Sequence, residues 1–320
     1  MTRVGAVVTE RREWWLLAAV PTGVLGLLVA GLLSRPLGHP ASDYPRMVAL
    51  LAGTALLGTC VVVALEDPRR RSVLAARLSR WRMVLAALWL VAELVLLVAS
   101  AGEAGGGSLS SVRASTVLSY VQVLTNGRIS LLVCGCVLVA LVLVAATRGA
   151  GAGWSTAPVA ALTMVALIAR PLTGHSADVG ALAQVAIIVH VAAASVWCGG
   201  LAVVAVVAGT ARGIWARMLP RFSHLAGWCA AVVAGSGVLN ALLQLGGVNL
   251  LLSSGYGRLV LAKFAALVVL FGLGAFARRR WVPEAVQHRT PAAVSLRRAA
   301  TEVAVMGLAL GLATALATTG

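Results

Sequence analysis

Nine almost uncharged apolar stretches follow one another along the chain, at about 14–34, 47–65, 83–101, 128–147, 156–170, 182–208, 222–245, 259–277 and 300–318. Crossing the hydrocarbon core of a bilayer takes about 20 such residues in a helix. Backbone N–H and C=O groups have no water to bond there, so they must be satisfied within the helix itself. The pattern predicts an all-α, polytopic transmembrane helix bundle of about nine spans. Composition agrees: 60% of the 320 residues are hydrophobic and 11% are charged, whereas a soluble domain carries about 25% charged residues. A soluble enzyme and a disordered chain are both excluded. The first stretch follows Arg11 and Arg12 and lacks a small-residue cleavage site after it. A retained helix is therefore expected rather than a signal peptide.

The formal net charge is +16, and 25 of the 26 basic residues are Arg. They sit in or beside the short connections, which is the bias of membrane loops rather than a nucleic-acid patch. With the N-terminus inside, nineteen Arg fall in inner segments and six in outer ones. The split predicts a cytoplasmic N-terminus and an extracytoplasmic C-terminus in a multi-pass protein of the cell membrane. The Gly-rich connection 147–155 divides the chain into a four-helix region, 1–155, and a five-helix region, 156–320, within one integrated bundle. No tandem repeat relates them. Residues 112–127 are expected to add a short outer helix at the interface. The five cysteines all lie in or beside apolar stretches, so no disulfide framework is expected. Cys134 and Cys136 point about 200° apart on a helix and cannot chelate one ion.

Polar residues at membrane depth are costly and become functional candidates by default. His190 lies about eight residues into the sixth stretch, roughly 12 Å deep, with Trp197 two turns further on the same face. Ala192, Ala193, Ala194, Ser195, Gly199 and Gly200 surround them, and such small residues let helices approach closely. His175 and His39 sit in outer connections, and imidazole suits copper and zinc. Together they could lead an ion inwards to His190, above a floor closed by Trp197. The plain alternative is that His190 hydrogen-bonds a neighbouring helix and that the loop histidines are solvated surface. Ser236, Asn240 and Gln244 form one polar stripe at i, i+4 and i+8, which could equally be interhelical glue. Glu93, in the middle of the third stretch, needs a compensating cation, with Lys263 and His190 as the candidates. Lys263 could instead snorkel to the outer interface. Glu302 lies four residues after Arg298, the spacing of an ion pair. No phosphate loop, paired carboxylates or His-Glu-x-x-His set is present, so no enzyme is expected.

The second half resembles the copper resistance D family of bacterial inner-membrane proteins. The likeness is carried in order by Gly174-His175-Ser176-Ala177, by His190 with Trp197-Cys198-Gly199-Gly200-Leu201, and by Arg221-Phe222-Ser223-His224. It continues through Ser236-Gly237, Tyr256-Gly257-Arg258-Leu259 with Lys263, and Leu296-Arg297-Arg298-Ala299 with Glu302, over about residues 174–318. The first four stretches match only loosely, through Thr125-Asn126-Gly127-Arg128. The resemblance implies copper handling, by import across the membrane or by delivery beside a periplasmic or extracellular copper-binding partner.

Three functions compete. A copper permease would capture the ion at outer His residues, relay it through His190 and balance charge with Glu93 or Lys263. A non-transporting adaptor would present copper to an oxidase or chaperone. A haem-binding redox protein would need axial His residues at matching depth on facing helices, and only His190 is clearly at depth.

Overall fold

The computed structural model describes residues 19–33, 42–106, 112–147, 155–173, 180–244 and 255–316. Among them there are helices and turns and no strand. In chain order the helices are α1 (Ala19–Leu33), α2 (Asp43–Leu65), α3 (Pro68–Ala104), α4 (Ala114–Val123), α5 (Thr125–Ala146) and α6 (Thr156–Ala169). They continue with α7 (Ala181–Ala208), α8 (Arg212–Gln244), α9 (Gly255–Phe276), the short α10 (Val282–Val286) and α11 (Ala292–Leu316). A 3-10 turn, Arg170–Thr173, closes α6, and a π turn, Ala277–Trp281, joins α9 to α10. Each of the nine apolar stretches falls on a helix, and α4 occupies the place of the expected outer helix. Among the described residues, α2, α3, α5, α7, α8 and the α9–α10 unit are long and apolar enough to cross a membrane. The chain is an all-α membrane helix bundle.

Several helices overrun their apolar stretches at the Arg-rich end. The 37 residues of α3 make about 55 Å at 1.5 Å per residue, well beyond a bilayer core. Its added turns are rich in Arg, Ala and Leu, which are strong helix formers. Asp67 caps them, accepting a hydrogen bond from the Arg69 N–H at 3.0 Å. Pro68 follows at the first helical position, where a missing N–H costs nothing. In the same way α8 starts ten residues before its apolar stretch and runs through Pro220. Hydropathy alone cannot see these extensions, because their side chains are charged.

The opposite holds for α6. Its fourteen residues span about 21 Å, and the four of the 3-10 turn add about 8 Å. Arg170, counted from sequence as an outer-loop residue, therefore lies within the span of the helix–turn unit rather than beyond it.

The core is organised around α2 and α7. They cross at Gly58 and Gly199, where a Cβ on either residue would collide with the other helix's backbone: Gly58 with the Gly199 carbonyl, and Gly199 with that of Thr54. Only glycine permits this approach. From that crossing α2 packs on α3 and α6, while α7 packs on α8 and α11. One apolar cluster joins α2, α3, α5 and α6, and another joins α7 and α8 with α9–α11 and the Arg-rich ends of α2 and α3. The α1 and α11 helices close against each other at Gly26 and Gly311.

At the Arg-rich end, polar bonds fix the helix ends. Glu66, just after α2, accepts from Arg217 of α8 through both carboxylate oxygens at 3.0 Å. Burial pushes its pKa up, but the hydrogen bonds from Arg217 and from the Asp67 N–H prevail and hold it below the ordinary carboxylate range. Arg221 reaches the Leu65 carbonyl at 2.9 Å. Arg82 is fully buried, with its Nε on Thr59 Oγ1 at 3.0 Å and Thr156 within reach of its terminal nitrogens. Trp215 and Trp281 pack with centroids 5.6 Å apart, and Trp281 donates to Ser295 Oγ at 3.0 Å. That last bond ties the π turn to α11.

Candidate functional site

His190 is buried at 8% exposure between α7 and α8. The approach depends on Gly237, whose Cβ position would lie 3.3 Å from the imidazole Cε1. Ser236 Oγ lies 2.6 Å from the Val232 carbonyl and 3.1 Å from His190 Nδ1. A hydroxyl has one proton to give, and the short bond to Val232 takes it. Ser236 Oγ therefore accepts from His190 Nδ1–H, with the Val233 carbonyl as a further acceptor for the imidazole, and Nε2 carries the lone pair of the neutral ring. That is the neutral tautomer a metal ion requires, oriented by a neighbour on its far nitrogen.

One turn along α8, Asn240 donates from Nδ2 to the Ser236 carbonyl at 3.1 Å. Its Oδ1 is buried without a hydrogen-bond partner. The structure thus brings His190, Ser236 and Asn240 together. Lys263 on α9 is half-buried and within electrostatic reach of His190, and it forms no ion pair among the described residues. His39 and His175 lie outside the described residues, as does the side chain of Gln244. His224 and His288 are exposed. Among the described residues no three His, Cys, Asp or Glu side chains cluster as a metal site. All five cysteines are free.

Glu93 does not pair with Lys263 or His190. It is 2% exposed and forms an ion pair with Arg170 at the end of α6. Trp89 Nε1 also donates to it at 3.1 Å. The sequence expectation fails for a physical reason: α6 is short enough to place its terminal Arg against the middle of α3. The same end of the bundle carries Arg46 within electrostatic reach of Asp43, Glu93, Glu103 and Arg170. Ser42 binds the Glu103 carboxylate through its N–H at 3.0 Å and its Oγ at 2.8 Å. The sequence does not reveal this charged network, because Arg46 and Arg170 look like ordinary loop cations in it.

The expected Arg298–Glu302 pair is also absent. Arg298 turns to Glu284 at 3.0 Å and lies over the Phe276 ring. Trp197, 5% exposed, borders a cavity of about 540 Å³ shared with Phe222, Leu270, Arg278 and Glu302. This cavity extends from Trp197 to Arg278 and Arg279 at the Arg-rich end, the side opposite to the one expected, and His190 is not in its wall.

Two family models match the chain. The Copper resistance protein D-like N-terminal domain matches residues 43–185, and Copper resistance protein D matches residues 216–316. Comparison with curated proteins and with solved structures returns no match. The first model covers α2 to α6 with Thr125–Arg128 and Gly174–Ala177, and the second covers α8 to α11 with Ser236, Lys263 and Glu302. With both halves of the bundle matched in order, over well over half of its length, the chain belongs to the copper resistance protein D family.

Proposed function

We propose that the protein imports copper ions across the plasma membrane, with His190 as the ligand inside the bundle. The observation that carries this reading is the His190–Ser236 bond, which holds the ring in the tautomer with its proton on Nδ1 in a buried, small-residue setting. His175 and His39 are the proposed outer capture residues, and Lys263 is the cation that tunes the field at His190. Glu93 is left out of the path, since Arg170 already neutralises it.

The test is copper uptake into proteoliposomes containing this protein alone, under reducing and oxidising conditions. Uptake above empty liposomes that is lost in His190→Ala supports import. Stoichiometric copper binding without uptake overturns it in favour of a membrane adaptor that hands copper to an oxidase or an extracytoplasmic chaperone.

A further inference from the structure

Glu302 lies on α11, one turn beyond Arg298, in the wall of the cavity below Trp197. It is 7% exposed, and its carboxyl makes no hydrogen bond or ion pair with any described residue. The charged groups around it are otherwise engaged or out of pairing range. Arg298 on its own helix is held by Glu284 of α10. Arg278 and Arg279 of the π turn line the same cavity, but neither is within ion-pair distance. The Arg278 guanidinium packs against the bare Cα of Gly227, 2.5 Å from where a Cβ would sit. From α7 the neighbours are Trp197 and Leu201, from α9 Leu270 and Phe271, and from α8 the only polar side chain is Ser223.

A carboxyl set in an apolar wall with no cation beside it is more stable as the neutral acid than as a bare carboxylate. The cavity gives it what a sealed core acid lacks, a space through which a proton can come and go. We infer that Glu302 is a proton-binding site that exchanges with water through the cavity at the Arg-rich end of the bundle. It loses its proton to water entering the cavity and regains one when the cavity dries. The assignment goes beyond the import reading and does not depend on it. If import holds, Glu302 supplies a proton to move against the copper charge.

The experiment uses the full chain in liposomes without copper, treated with dicyclohexylcarbodiimide and digested for peptide mass spectrometry. The reagent reacts with a neutral carboxyl in apolar surroundings. The acid proton passes to one carbodiimide nitrogen, the carboxyl oxygen bonds the central carbon, and the acyl group then migrates to nitrogen as a stable N-acylurea. We expect Glu302 to be labelled and Glu302→Gln to lose the label. Labelling should fall as the pH is raised and the acid ionises. Glu93, ion-paired with Arg170, is the internal control and should stay unlabelled. A Glu302 peptide that is unlabelled at every pH, or labelled no more than Glu93, overturns the inference whatever the protein does with copper. Because the wild-type chain carries the readout, a variant that failed to fold would not obscure it.

Discussion

At the scale of single residues, His190 separates ligation from mere packing. His190→Ala should abolish the copper-dependent phenotype with normal abundance in the membrane. His190→Gln can keep a hydrogen bond to Ser236, yet an amide is a poor copper ligand, so it should fail too. Rescue by Gln alone, measured as copper-dependent growth beside an immunoblot for abundance, would make His190 a structural group. Glu93 gives the contrasting case. Glu93→Leu leaves Arg170 half-buried without its carboxylate and should cost about 3–5 kcal/mol of stability. Glu93→Leu combined with Arg170→Met should recover most of that loss, read as thermal unfolding in detergent, and should keep copper-dependent growth. A double variant as unstable as the single one would show that the pair is not the relevant partner. The sequence made His190, Ser236 and Asn240 legible, because helical spacing and depth are periodic quantities. It could not show that Glu93 belongs to Arg170: that pairing spans 77 residues and follows from how short α6 is.

Among the elements, the α2–α7 crossing is the most sequence-sensitive contact. Gly58→Leu or Gly199→Leu must push the two backbones apart, so either change should empty the membrane of folded protein, whereas Gly135→Ala, with open space at its Cβ, should be silent. Expression level and gel-filtration profile would decide it; a well-behaved Gly199→Leu would contradict the packing. The tie between α2 and α8 titrates. Because Arg217 holds the Glu66 pKa below its unfolded value, the bond contributes fully above the ordinary carboxylate range. Its contribution disappears as acid protonates Glu66 in the folded state. Wild type should therefore lose stability on acidification below about pH 4 more steeply than Glu66→Gln, as followed by tryptophan fluorescence. Equal slopes would mean that Glu66 carries no such linkage. The helices that carry the nine apolar stretches were visible in the sequence, but their ends were not. Where a helix leaves the hydrocarbon, charge stops informing on whether it continues, and caps such as Asp67-Pro68 take over.

For the molecule as a whole, the distribution of Arg makes a prediction about sidedness. A reporter fused after Arg80 should read cytoplasmic, and one fused at Gly320 should read extracytoplasmic. A cytoplasmic signal at both would mean an even number of crossings, with α6 failing to span. The membrane bundle and the family were readable from hydropathy and short ordered motifs. The cavity below Trp197 was not, because it is the space left between α7, α8, α9, the π turn and α11, and no single segment encodes it.

The Glu93–Arg170 pair also has a consequence in time. At about 5–20 residues per second, Arg170 leaves the ribosome about 4–15 s after Glu93, since 77 residues separate them. Throughout that interval the newly inserted third helix holds a carboxyl whose counter-charge has not yet been synthesised. A chain stalled or cleaved before Arg170 is left with that defect permanently. Completion of α6 is therefore the step at which the buried Glu93 gains its counter-charge, before α7 to α11 have been made.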